Sequence, residues 1–127
     1  MDRIQKNLEK RHALAAVYKE KLSAIAGVEL FSLPANTIHT HHLFPIRVAA
    51  SVRDNVIASL LKQGIGVVVN YRAIHLLTYF ANTLGHKQGD FPVAEKIGGE
   101  VISLPFYPNM PHEHVGLVAK ALETWNQ

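Results

Sequence analysis

With 127 residues, no cysteine, 48% hydrophobic and 18% charged residues and a formal charge of +3, the chain fits one ordinary globular domain. Disulfides and thiolate metal sites are excluded. No apolar run approaches the roughly 18 residues of a membrane span, and Met1–Lys6 lacks the apolar core of a signal peptide, so a cytoplasmic, non-membrane protein is expected.

From Asp2 to about Ala26, Ile4, Leu8, Ala15, Tyr18, Leu22 and Ile25 recur at helical intervals, and Gly27 follows as a natural C′ residue. Lys6, Lys10, Arg11, Lys19 and Lys21 alternate there with Glu9 and Glu20, which reads as a solvated helix face and argues against a nucleic-acid partner. Val28–Phe31 reads as a short strand and Pro34–Asn36 as a loop. His39 and His41 would share one face of a strand, a spacing that two metal-binding imidazoles can use. No carboxylate stands close by to complete a shell, so pocket or surface histidines are the preferred reading.

His41–Val48 alternates as a strand, with Pro45 at an edge or with its nitrogen turned away from the partner strand. Asp54–Gln63 reads as a helix with Val56, Ile57, Leu60 and Leu61 inward and Gly64 as its stop. Ile65–Val69 is a continuous apolar run and reads as a strand buried on both faces. It breaks off at Asn70, Tyr71, Arg72 and His75, side chains that donate to phosphate or sugar oxygens and stack on rings. Loops on rigid scaffolds concentrate ligand contacts, so this segment is the leading candidate site.

Phe91–Pro92 opens a third helix at about Val93, which Gly98–Gly99 would weaken. Ser103–Pro105 is extended. A last helix starts near Asn109–Glu113, with Val115, Val118, Ala119 and Leu122 as its stripe. The expected fold is therefore α/β in the two-layer α+β sense: a small, mostly antiparallel sheet of about three strands packed by about four helices. Apolar residues are numerous for so small a sheet, which suggests that one face meets something larger.

An ordered set of short motifs goes further. Arg11 and Tyr18 are followed by His42-Leu43-Phe44-Pro45-Ile46-Arg47-Val48, Arg53-Asp54, Gly64-Ile65-Gly66 and Asn70-Tyr71-Arg72-Ala73-Ile74-His75. Gly89-Asp90-Phe91-Pro92-Val93-Ala94-Glu95 and Ser103-Leu104-Pro105-Phe106-Tyr107-Pro108 complete it. Over essentially its whole length the chain resembles the carboxy-terminal part of the DegT/DnrJ/StrS sugar aminotransferases, pyridoxal-phosphate enzymes of the aspartate aminotransferase fold. Within that family the Arg-Ala-x-His variant looks most like enzymes that aminate UDP-linked 4-keto pentoses, the 4-amino-4-deoxy-arabinose type.

The resemblance implies that residues 1–127 form the small carboxy-terminal domain, without the large domain that holds the cofactor through a lysine, an aspartate and phosphate-binding Ser/Thr residues. It implies transfer of an amino group from glutamate to a nucleotide-activated keto-sugar, in cell-surface polysaccharide or amino-sugar biosynthesis, by a homodimer with sites built from both subunits. None of Lys62, Lys87, Lys96 and Lys120 sits in a turn like the family's catalytic lysine, so this chain alone is expected to hold no cofactor or metal, to contribute no catalytic residue and to be inactive. Carried over singly, the substrate-binding candidates are Asn70, Tyr71, Arg72, His75 and His42. Asn70 stands where many members carry histidine, Tyr71 could equally be a half-buried strand-end residue, and Arg72 could be a surface ion pair. For His41 and His42, packing and hydrogen bonding at a domain interface is the stronger reading. A stand-alone, non-catalytic module that binds nucleotide sugars or another protein is the alternative function.

Overall fold

The computed structural model describes residues 2–125. Five α-helices surround a three-stranded antiparallel sheet, in the order α1 (Asp2–Leu22), β1 (Glu29–Leu30), β2 (Phe44–Arg47), α2 (Ala50–Lys62), α3 (Thr78–Leu84), α4 (Pro92–Glu100), β3 (Val101–Leu104) and α5 (His112–Thr124). One 3-10 turn, Ile74–Leu76, precedes α3. The expected two-layer architecture is present, with α3 as a helix that the sequence reading did not assign.

The sheet order is β1-β2-β3, so β2 is central. Phe44 pairs with Leu104 and Ile46 with Ile102, placing four apolar side chains on one face. Against that face Tyr18 stacks on Phe44 at 4.6 Å between ring centroids and donates its hydroxyl to the Pro105 carbonyl at 2.7 Å. Leu14 and Leu22 of α1 and Val115, Val118 and Leu122 of α5 close the core, and Val56 and Leu60 extend it from α2. Each fully buried side chain of this kind contributes about 1.5–3 kcal/mol.

Proline fits the central strand because of register. The Ser103 N–H and C=O both bond to Val68 (2.8 and 3.3 Å), so the opposite side of Ser103, facing Pro45, carries no ladder bond. The Pro45 nitrogen thus points away from β3, as expected, and toward β1, which pairs only with Ile46 and Arg47.

Two helix boundaries differ from the expectation. The first helix ends at Leu22, not near Ala26, and Gly27 with φ +79° serves the turn leading to β1. Helix α2 begins at Ala50, a turn before Asp54, with no side-chain cap, because propensity and packing decide where no capping residue stands. Its end follows the sequence signal: the N–H groups of Gly64 and Ile65 bond to the carbonyls of Leu61 (3.0 Å) and Leu60 (2.9 Å), a Schellman closure that needs the left-handed Gly64 at φ +77°. Leu61, expected inward, is exposed.

The largest correction concerns Ile65–Val69. It is not a strand buried on both faces but an extended segment joined to β3 by one bridge, Val68 to Ser103. Only Val67 is buried, and Val68 is 56% exposed. Its apolar run reflects a sheet edge with nothing over it among the described residues. The amino-terminal turns of α1 behave likewise, with Ile4 75% exposed.

Candidate functional site

Helix α4 is the platform of the site. Glu95 and Gly98 lie three residues apart, hence on one face of that helix. Gly98 is buried there because the backbone of the 70–75 loop runs against it: a Cβ at this position would stand 2.7 Å from the Ala73 nitrogen and 3.2 Å from the Arg72 carbonyl carbon. A mid-helix glycine costs about 1 kcal/mol relative to alanine, and this close approach is what it permits. The second anchor is Glu95, whose Oε1 accepts from His75 Nε2 at 2.9 Å.

Glu95 also gathers the loop before α4. Its carboxylate accepts from the Gly89 N–H (2.8 Å to Oε1, 3.1 Å to Oε2) and from the Phe91 N–H (3.3 Å). Burial alone would raise this carboxyl, but the hydrogen bonds from His75, Gly89 and Phe91 outweigh it and hold Glu95 below the usual carboxylate range. Asp90 is lowered as well, first by the Lys87 N–H at 3.0 Å and then, against burial, by His86 Nδ1 at 3.2 Å. Both carboxylates therefore stabilise the loop above their unfolded pKa values, and that stability is lost as pH falls through their depressed native ones.

Between α4, α3 and the 70–75 loop lies a cavity of about 490 Å³, a volume typical of small-molecule sites. Ile74, Phe80, Leu84, Phe91 and Ile97 give it apolar walls, and Tyr71, Arg72, His75 and His86 supply the polar groups. His75 is buried and packs edge-on to Phe91 with centroids 4.8 Å apart. Arg72 is exposed and makes no ion pair or hydrogen bond among the described residues, so its guanidinium fork is free for phosphate or carboxylate oxygens. Tyr71 is 72% exposed at the rim, not the half-buried strand-end residue of the alternative reading.

Three of the five sequence-predicted site residues, Tyr71, Arg72 and His75, thus converge on one cavity. Asn70 is half-buried beside it, without lining it. His42 is exposed two residues before β2 and does not line the cavity either. His41 packs instead with His39 (4.3 Å between centroids) and His12 (5.4 Å), and His12 Nε2 donates to the His39 carbonyl at 2.7 Å, tying the 31–42 loop to α1. Among the described residues no group of three His, Asp or Glu side chains is placed to hold a metal ion.

Sequence reasoning missed Glu95, His86 and Gly98 as site-forming residues. A signal existed for Glu95: an acid in the first turn after Phe91-Pro92 is placed to reach back to free loop N–H groups. None existed for Gly98, whose role depends on a segment distant in sequence.

Every lysine among the described residues is exposed. None lies in the desolvated pocket that an imine-forming lysine needs, so these residues do not by themselves fit pyridoxal phosphate.

Comparison with known proteins agrees with this architecture. The chain is 32% identical to the dTDP-3-amino-3,4,6-trideoxy-alpha-D-glucose transaminase of Micromonospora megalomicea subsp. nigra, over 88% of this chain and 30% of that protein. It is 30% identical to the UDP-4-amino-4-deoxy-L-arabinose–oxoglutarate aminotransferase of Shewanella sediminis, over 96% of this chain and 34% of that one. The crystal structure of DesV from S. venezuelae superposes with a TM-score of 0.84 at 29% identity, over 94% of this chain and 32% of that chain. The chain spans about a third of the length of each of these relatives. The sequence profile of the DegT/DnrJ/EryC1/StrS aminotransferase family matches residues 1–123, and the chain belongs to that family.

Proposed function

We propose that this chain is the small carboxy-terminal domain of a pyridoxal-phosphate-dependent nucleotide-sugar aminotransferase, and that the cavity at Tyr71, Arg72 and His75 receives the activated sugar. Family membership supports the reaction class. The observation that carries the site is the convergence of a free guanidinium, an oriented imidazole and an exposed phenol on one apolar-walled cavity. In this reading Arg72 meets the diphosphate, His75 and Tyr71 meet the sugar, and Asn70 offers its amide to a hydroxyl. His42 belongs to the boundary with the large domain.

The cofactor, when bound, supplies the electron sink for moving an amino group. Its lysine and its phosphate cradle belong to the large domain, and a homodimer completes the site. What these residues do is hold and orient the sugar nucleotide and close the cavity over it. The names of the relatives support a nucleotide-linked amino sugar as product. Among the described residues no helix is long and apolar enough to cross a membrane; the cytoplasm is the compartment we propose for the enzyme.

The test is reconstitution. Purified alone, the chain should show no cofactor absorbance and no turnover. Mixed with a separately expressed lysine-bearing domain, it should restore the change in cofactor absorbance on adding glutamate. Arg72→Ala should then raise KM for the sugar nucleotide by about tenfold. Tight binding of UDP-sugars by the chain alone, with no gain from a large domain, would favour a stand-alone binding module instead.

A further inference from the structure

Glu95 does more than cap a loop. As an ionised carboxylate it can only accept hydrogen bonds, so at the 2.9 Å contact the proton must sit on His75 Nε2. A neutral imidazole with its proton on Nε2 carries a lone pair on Nδ1. That atom makes no hydrogen bond among the described residues, so no protein group there claims its lone pair. His75 lines the cavity, and its ring packs in a T-shaped pair with Phe91.

The geometry points to Glu95 as a positioning residue that locks the His75 tautomer and presents Nδ1 to the cavity as an acceptor, so that His75 selects a hydroxyl donor on the ligand and leaves phosphate oxygens to Arg72. This rests on the cavity being the sugar-nucleotide site. The division of labour follows from chemistry: a lone pair repels an unprotonated phosphate oxygen and accepts from a sugar hydroxyl. Glu95 can set the orientation because it is itself fixed by the Gly89 and Phe91 N–H groups, which turn the α4 amino terminus into a rigid bracket.

Nitrogen NMR of the full chain at pH 8 tests this without any substitution. The expected pattern is a pyrrole-type Nε2 and a pyridine-type Nδ1 at His75. The opposite tautomer, an even mixture, or two protonated nitrogens would overturn the inference. In Glu95→Gln the ratio of the two tautomers should fall by about tenfold, because a charged acceptor has become a neutral one. A purely structural Glu95 would leave that ratio unchanged while the fold persists, and this too would overturn the inference. UDP-glucose should shift the His75 Nδ1 resonance, and UDP should shift Arg72 but not His75. Shifts at Tyr71 and Arg72 with none at His75 under UDP-glucose overturn the hydroxyl assignment and leave the site in place. No shift at any cavity residue with either ligand, once the separately expressed lysine-bearing domain has been added, overturns the reading of the site itself.

Discussion

Two regions of this molecule are built on different terms. Residues of α1, β2, β3 and α5 bury their apolar side chains against one another, so that Tyr18, Ile46, Ile102 and Leu122 have almost no exposure. The segment from Val68 to Ile97 is as apolar but leaves Tyr71, Ile74, Tyr79 and Leu84 more than half exposed, and α3 buries none of its residues. The first region is held by its own hydrophobic burial. The second is held by a few specific contacts: Gly98 under the 72–73 backbone and Glu95 beneath His75. A monomer rarely leaves so large an apolar patch uncovered. The chain spans about a third of its relatives, and the large domain is the cover we propose for this patch.

The contrast can be broken from either side. The largest effect is expected from Tyr18→Ala, which removes a buried ring, its stacking on Phe44 and the hydroxyl bond to Pro105. Urea denaturation should show a loss of about 3–5 kcal/mol. Gly98→Ala should cost about 1–3 kcal/mol through overpacking, even though alanine favours helix. Because the added methyl pushes on Ala73, the resonances of the 70–75 loop should shift while those of β2 and β3 stay put.

The third expectation concerns pH. Burial, followed by His39, Lys19 and His12, lowers the His41 imidazole to about 4 from an ordinary 6.5. Above 6.5 both folded and unfolded chains carry it neutral and it has no effect. Between 6.5 and about 4 only the unfolded state takes the proton, so stability falls through that window and the loss levels off below it. His41 has φ +46°, so His41→Asn keeps a residue tolerant of left-handed backbone while removing the titration. Thermal melts of the variant should lose less stability than the parent between those pH values. The smallest effect on folding, within about 0.5 kcal/mol, is expected from Tyr79→Ser on the open face, where the ring is 70% exposed. Analytical ultracentrifugation with a large-domain partner should nevertheless show weaker association. Unchanged association would mean that this patch is not the covered surface.

Much of this was legible in the sequence because the signals were local. The Gly64 stop of α2, proline at the start of α4 and the stripe of α5 each depend on a few neighbouring residues, and each stands where its chemistry puts it. The cluster Asn70–His75 announced itself by polar side chains ending an apolar run. Where the same reasoning failed, at Ile65–Val69, it equated apolar with buried. Hydrophobicity records what a residue needs, whereas burial depends on whether anything in the structure meets that need. The sequence determined most of the elements, α3 and the Ile65–Val69 segment excepted, the family and three of the residues that share the cavity. Only the tertiary structure decided that Glu95 orients His75 and that Gly98 admits the loop, because both depend on α4 lying against residues some twenty positions earlier in the chain. No periodicity encodes that approach; packing alone brings it about.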